Sequence, residues 1–393
     1  MTGGILVPNL MEKSRMIKSN SRESVATKQK EYNWGIDFLR IVSMFMVVCL
    51  HMLGRGGILD YAPFLSGKYE VVWLIEIAAY CAVNCYALIS GYVGIHGKYR
   101  YSNWVLLWLR VLFYSVLITV VFKFAAPSVV GRYEWTSAIF PTSREQYWYF
   151  TAYTGLFLLI PVLNFFISHA SRKQLKLVVM LGIVLYSVLP ELFRRDIFVT
   201  KEGYSPIWMI VLYIIGGYLG KYQGWKKKSK RHLGFIYIVC IAVTWLGKFV
   251  IEHHRFGVSG DTNQTTFLVS YTSPTILLAG IALVILFSKL NVTEKWKKFI
   301  KLFAPVSFSV YLIHFHPLVK AYILQDRLKG LLNYNVVLML LAFLAIVVSV
   351  YFICSFIDMI REYIFKKLKV KDRLIKLEHK YLENTWDNIE RKG

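Results

Sequence analysis

The sequence is built from apolar runs of about 20 residues, each long enough to cross a bilayer as a helix, and they recur from residue 36 to residue 357. They lie near 36–54, 70–92, 103–125, 148–168, 175–190, 205–221, 234–252, 266–288, 303–324 and 335–357. Charged and proline-containing breaks at Pro190–Arg195 and Ser205–Pro206 separate the fifth run from the sixth. The expected fold is therefore all-α: a polytopic membrane protein of about ten transmembrane helices. Three regions follow: a basic tail over 1–33, read as disordered, a membrane domain over 34–357, and a second basic tail over 358–393. The first tail has neither the apolar core nor the cleavage site of a signal peptide. In the second, Ile364, Leu368, Ile375 and Leu382 recur at near-helical spacing among lysines. That pattern suits an amphipathic helix on an anionic membrane leaflet.

A net charge of +24 would suggest nucleic acid in a soluble protein. Counting cations near the ends of a run with the adjoining loop or tail, 33 of the 47 Lys and Arg fall on alternate sides, against 11 on the opposite side; Arg110, Lys123 and Lys248 lie deeper within runs. Basic residues gather on the cytoplasmic side of membrane proteins. The bias places both termini in the cytoplasm, supports an even number of spans, and removes the need for a nucleic acid. Cys49, Cys81, Cys85, Cys240 and Cys354 all lie in apolar runs, with no disulfide framework and no metal-ligand spacing.

The first run, GIDFLRIVSMFMVVCLHMLG over 35–54, carries Asp37, Arg40 and His51. Eleven residues separate Arg40 from His51, a helical rise of about 16 Å and about 20° past three full turns. Arg40 thus lies near the cytosolic face, His51 near mid-membrane, and both share one stripe with Asp37 close by. Singly, such an arginine serves as an interfacial anchor and such a histidine as an interhelical hydrogen bond. Together they point to a protein-lined or wet cavity, because a charged stripe facing lipid is costly. In the ninth run, SFSVYLIHFHPL, His314 also reaches mid-membrane and shares a face with Ser307, with Tyr311 nearby. The second run carries Glu76, Asn84 and Ser90-Gly91-Tyr92; the third carries Arg110 about two turns in.

These segments resemble the acyltransferase-3 family of integral membrane O-acyltransferases, in its stand-alone form without an esterase-like domain. Arg40 and His51 match its R-x10-H pattern. CAVNCYALISGYVG over 81–94, YWYFTAYTGLFLLIPVLN over 147–164 and FSVYLIHFHPLV over 308–319 are similar to its later motifs. The likeness covers residues 33–357. The family's R-x-x-R pair at the third span keeps only Arg110, Leu107 standing in the first place, while Lys98 and Arg100 lie just upstream.

The resemblance implies transfer of an acyl group, in most members acetyl, from cytosolic acyl-CoA to a hydroxyl of a surface glycan or lipid-linked sugar in a bacterial plasma or inner membrane. Acetyl-CoA is then a donor substrate, with no permanently bound cofactor and no metal. Arg40, Ser90, Gly91, Lys98, Arg100 and Arg110 are the candidate donor contacts. His51 is the candidate base or acyl carrier. Asn84, Tyr311 and His314 are candidate donors to the developing oxyanion. Asp37 orients Arg40, Glu76 supports the site, and Trp148 offers a ring to the acceptor. Two other classes compete: a transporter or flippase of a polysaccharide precursor, for which intramembrane His, Arg and Glu are also suited, and a non-catalytic scaffold, which would tolerate loss of His51.

Overall fold

A computed structural model describes residues 32–97 and 99–383 of the chain. Lys98, most of the 1–33 tail and the last ten residues of the 358–393 tail lie outside the described residues. The described residues are helical, without strands. We number the main helices α1 (Trp34–Gly54), α2 (Gly67–Tyr80), α3 (Ala82–Gly94), α4 (Tyr101–Ala125), α5 (Trp148–His169), α6 (Arg172–Phe193), α7 (Pro206–Lys221), α8 (Lys230–Ser259), α9 (Pro274–Ser288), α10 (Glu294–Phe303), α11 (Ser307–His314), α12 (Val336–Lys367) and α13 (Val370–Glu378).

Among the described residues, seven segments are long and apolar enough to span a membrane: α1, α2 with α3, α4, α5, α6, α8 and α12. Helices α7 and α9 are apolar but shorter. The run expected over 303–324 divides. Helix α11 ends at His314, His316 is extended (φ −55°, ψ 137°), and Pro317 begins a new short helical turn. Proline lacks an N–H and pushes the preceding residue out of the helical region. The run expected from 266 starts its helix only at Pro274, because Ser270, Thr272 and Ser273 bond among themselves and to Glu191. The second run bends at Cys81, where ψ is −2°.

Helix ends carry their own chemistry. Ser66, Ser205, Ser229 and Asn335 each accept an N–H from the first turn of the helix they precede. Ser171 and Gln174 close a reciprocal capping box at α6.

Helix α1 is central. It packs against α2, α3, α9, α10, α11 and α12, and 72% of its apolar window is buried, against 11% for α6 and 22% for α4, α8 and α12. The outer helices turn Phe124, Val162, Phe165 and Leu341 away from the protein, a surface that lipid tails satisfy. The closest packing joins α3 to α7. A Cβ on Gly91 would lie 2.0 Å from the Tyr213 carbonyl oxygen, and one on Gly216 2.1 Å from that of Leu88. Small residues allow backbones in membranes to touch in this way. The P-x-x-N end of α5 has a structural role too: Asn164 accepts the Tyr213 hydroxyl at 2.8 Å and donates to the Gly94 carbonyl at 3.3 Å.

At its far end the chain leaves α12 through Lys369 (φ 51°) into α13, which packs on the start of α4. Glu378 accepts the Tyr101 N–H at 2.7 Å and the Ser102 hydroxyl. The carboxylate thereby satisfies orphan donors at a helix N-terminus.

Candidate active site

Helices α1 and α11 bring together two histidines 263 positions apart. His51 Nδ1 lies 2.8 Å from His314 Nε2, and His314 Nδ1 lies 2.5 Å from the Val310 carbonyl oxygen. A carbonyl only accepts, so His314 Nδ1 carries the proton and donates to it. In the neutral ring Nε2 is then an acceptor, and His51 Nδ1–H donates to it. The remaining nitrogen of His51, Nε2, is left with its lone pair. One backbone carbonyl thus fixes both tautomers. The Phe315 ring stacks on His51 with centroids 3.5 Å apart and planes 9° apart, which fixes the imidazole plane.

His51 lines a narrow cavity of about 30 Å³. Met44, Val47 and Leu50 of α1 form one wall; Val83, Tyr86, Phe308 and Tyr311 form others; Trp148, Tyr149 and Tyr271 complete it. A space of that size holds one or two waters. The buried Tyr311 hydroxyl has no hydrogen-bond partner among the described residues and stands on the cavity wall.

Trp148 forms an aromatic platform with two loop tyrosines. Its centroid is 4.4 Å from that of Tyr204 and 6.0 Å from that of Tyr271, the latter nearly parallel. Burial, with the charges of Glu76 and Glu202 nearby, pushes the Tyr204 phenol above its ordinary range, although the hydrogen bond with Tyr271 and the Arg55 charge act the other way. It therefore remains a neutral hydroxyl at physiological pH. Glu76 is buried, and its Oε2 has no hydrogen-bond partner among the described residues.

Arg40 pairs with Asp37 one turn below it, as the spacing predicts. Its side chain stays about one-third exposed. The Tyr86 hydroxyl donates to the Arg40 carbonyl at 2.8 Å, so Tyr86 links the arginine turn to the cavity.

Other expected contacts are drawn elsewhere. Asn84 is fully used: its amide donates to the Tyr271 carbonyl at 2.7 Å and its oxygen accepts the Trp208 indole at 3.0 Å. It holds the platform loop rather than facing the cavity. Ser90 donates to the Tyr86 carbonyl within its own helix. The space beside Gly91 is filled by α7, so helix packing accounts for that glycine. Arg110 donates to the Pro305 carbonyl at 3.1 Å and lies 3.8 Å from Glu362. It joins the acid-rich end of α12: Arg361 takes Asp358 in a bidentate pair and also reaches Glu362 at 2.8 Å, Tyr114 donates to Asp358, and Lys366 lies 3.7 Å from Glu362. Arg100 stands just before α4, half-buried.

Sequence reasoning passed over Tyr86, Tyr271 and Phe315. Phe315 had a signal, lying between two histidines in the segment HFHP. The tyrosines had none, because aromatic residues are common in every span of this chain. The Lys248–Glu252 pair, 2.5 Å apart and buried, was also missed as a unit. Its four-residue spacing is the trace it left. Tyr69 and the Thr265 N–H complete the hydrogen bonding of Glu252.

Residues 33–357 match the family model described as an acyltransferase domain, Acyl_transf_3. No curated protein and no solved structure matches the chain.

Proposed function

The chain belongs to the acyltransferase-3 family, which makes it a multi-pass membrane acyltransferase, and on that premise we propose that it moves an acetyl group from cytosolic acetyl-CoA to a hydroxyl of a cell-surface glycan or lipid-linked sugar. The observation that carries this reading is the chain His51–His314–Val310, which leaves a lone pair at Nε2 of His51, a residue on the wall of a small cavity.

The reaction follows from that arrangement. The acceptor hydroxyl oxygen attacks the thioester carbonyl carbon while His51 Nε2 takes the hydroxyl proton. The imidazolium keeps its Nδ1–H bond to His314, so charge develops on a ring already held in place. The Tyr311 hydroxyl, on the wall of the same cavity, is the donor for the oxyanion. The tetrahedral intermediate collapses, the carbon–sulfur bond breaks, and the proton passes from Nε2 to the leaving thiolate. The products are an ester and free CoA.

In this reading both termini face the cytosol. Arg40, with Asp37 orienting it and Arg100 at the same end, meets the phosphates of the donor. The pantetheine arm passes Tyr86 to reach His51. The Trp148–Tyr204–Tyr271 platform faces the sugar from the opposite side.

The test is thiol release from acetyl-CoA by membranes carrying the wild type or His51→Ala at equal protein level, together with proton NMR of surface glycans from a deletion strain rescued by each. Acetyl methyl signals restored only by the wild type, with thiol release lost in the variant, support the reading. Equal rescue by both removes His51 from its role. Glycan export failing without any change in acylation favours a transporter.

A further inference from the structure

The Gly54 end of α1 carries a second set of charged groups that the acyl-transfer chemistry leaves unused. The Arg55 N–H donates to the His51 carbonyl at 2.9 Å, so Arg55 begins the turn directly beyond the catalytic histidine. The segment is pinned: Asp326 N–H donates to the Arg55 carbonyl and Leu328 N–H to the Gly56 carbonyl, both at 2.9 Å. This clip ties the end of α1 to the chain that follows Lys320. The Lys320 ammonium lies 5.4 Å from the centroid of the Phe315 ring, the ring that stacks on His51. Arg55 and Lys320 act electrostatically on each other and on His51. The Arg55 charge also reaches Tyr204 on the aromatic platform.

Neither cation has an acidic partner within ion-pair distance among the described residues. The neighbouring cations are already committed: Lys68 donates to the Leu332 carbonyl at 2.6 Å, and Lys329 sits 4.5 Å over the Tyr61 ring. Asp326 shares the clip with Arg55, yet its carboxylate accepts from Gln325. Glu76 and Glu202 act on Tyr204, and neither closes a pair with Arg55 or Lys320. Two like charges are thus held near one another, beside a histidine and an aromatic platform, with no counter-charge. An anion supplied by a ligand satisfies both, with charge-assisted hydrogen bonds stronger than those of a neutral sugar.

We infer that the acceptor is an acidic sugar, whose carboxylate or phosphate seats between Arg55 and Lys320 while its ring lies on Trp148 and Tyr204 and its hydroxyl meets His51. This rests on the acyl-transfer reading above and narrows its substrate class. Carboxylate and phosphate share the anion chemistry that the two cations require.

The experiment uses the full chain in nanodiscs with acetyl-CoA and three probes: a neutral methyl glycoside, the matching uronic acid and the matching glycosyl phosphate. Thiol release and acetylated product are measured for each, in phosphatidylcholine discs and in discs containing phosphatidylglycerol. An acidic probe with kcat/KM at least about tenfold above the neutral one, an advantage removed by Arg55→Gln with Lys320→Gln and kept by Arg55→Lys with Lys320→Arg, is the expected result. The acid that performs better identifies the group. Equal use of neutral and acidic probes by an active enzyme overturns the acidic-acceptor assignment and leaves acyl transfer standing. A loss in the glutamine pair that follows lipid charge instead of probe charge assigns the cations to headgroups and overturns it too. Absence of His51-dependent thiol release with every probe overturns both readings.

Discussion

His51 and His314 share a 2.8 Å hydrogen bond whose direction is dictated by a third group, the Val310 carbonyl oxygen. In the proposed reaction the second histidine is therefore a positioning residue. It presents a lone pair to His51 Nδ1–H and so leaves Nε2 of His51 unprotonated.

Replacing His314 separates positioning from packing. His314→Ala leaves the His51 N–H unpartnered and lets the wrong tautomer form. We expect kcat to fall by about 10²–10³, the scale of general-base catalysis, with the donor KM within twofold of wild type. His314→Gln restores an acceptor and is expected to recover part of that loss. Steady-state thiol release on both variants checks this. Equal activity of Ala and Gln would show that only volume matters at this position.

Tyr311→Phe removes the unpartnered hydroxyl and little volume. Loss of one oxyanion donor costs about 10²-fold or more in kcat. The expected signature is lower kcat at unchanged donor KM, measured at saturating acetyl-CoA. A raised KM at full kcat would place the hydroxyl in ground-state binding instead.

Arg40 and Arg110 are expected to part company. Arg40→Gln should raise the apparent KM for acetyl-CoA about tenfold or more, as charge-assisted phosphate contacts are worth about 1.5–3 kcal/mol. Arg110→Gln should leave that KM unchanged and lower thermal stability, since it removes a bond to the Pro305 carbonyl and one of the three cations around Glu362. Tm by fluorescence in detergent, alongside KM, gives the two readouts. The opposite pattern would return Arg110 to the donor site.

Gly91→Ala tests why a glycine stands there. The added Cβ would fall 2.0 Å from the Tyr213 carbonyl oxygen, with no flexible side chain able to yield. Overpacking of this kind costs about 1–3 kcal/mol and often more. The expected effect is a lower Tm and lower membrane level at normal donor KM. A well-folded variant with a raised donor KM would restore Gly91 to substrate contact.

The sequence by itself determined the solvent of this protein. Long apolar runs admit helices in lipid, and the interval from Arg40 to His51 places both on one stripe of one helix, because backbone geometry inside a helix is periodic and local. The Asp37–Arg40 pair was legible for the same reason. It was equally clear from the residues around Ser307–Pro317 that a second histidine reached similar depth. What local pattern does not carry is direction and competition. Asn84, Gly91 and Arg110 lie in the spans where the resemblance expects site residues, yet each is claimed by a distant neighbour: Trp208 with Tyr271, the α7 backbone, and Glu362. A hydrogen bond or a backbone contact belongs to whichever group arrives in three dimensions, and spacing along the chain is silent on that. The same physics hid Tyr271, which reaches the cavity only because Ser270–Pro274 ends a run that reads as continuous helix. Tertiary structure alone decided that His314 accepts from His51, since the proton positions are set by a carbonyl in α11 meeting a ring from α1.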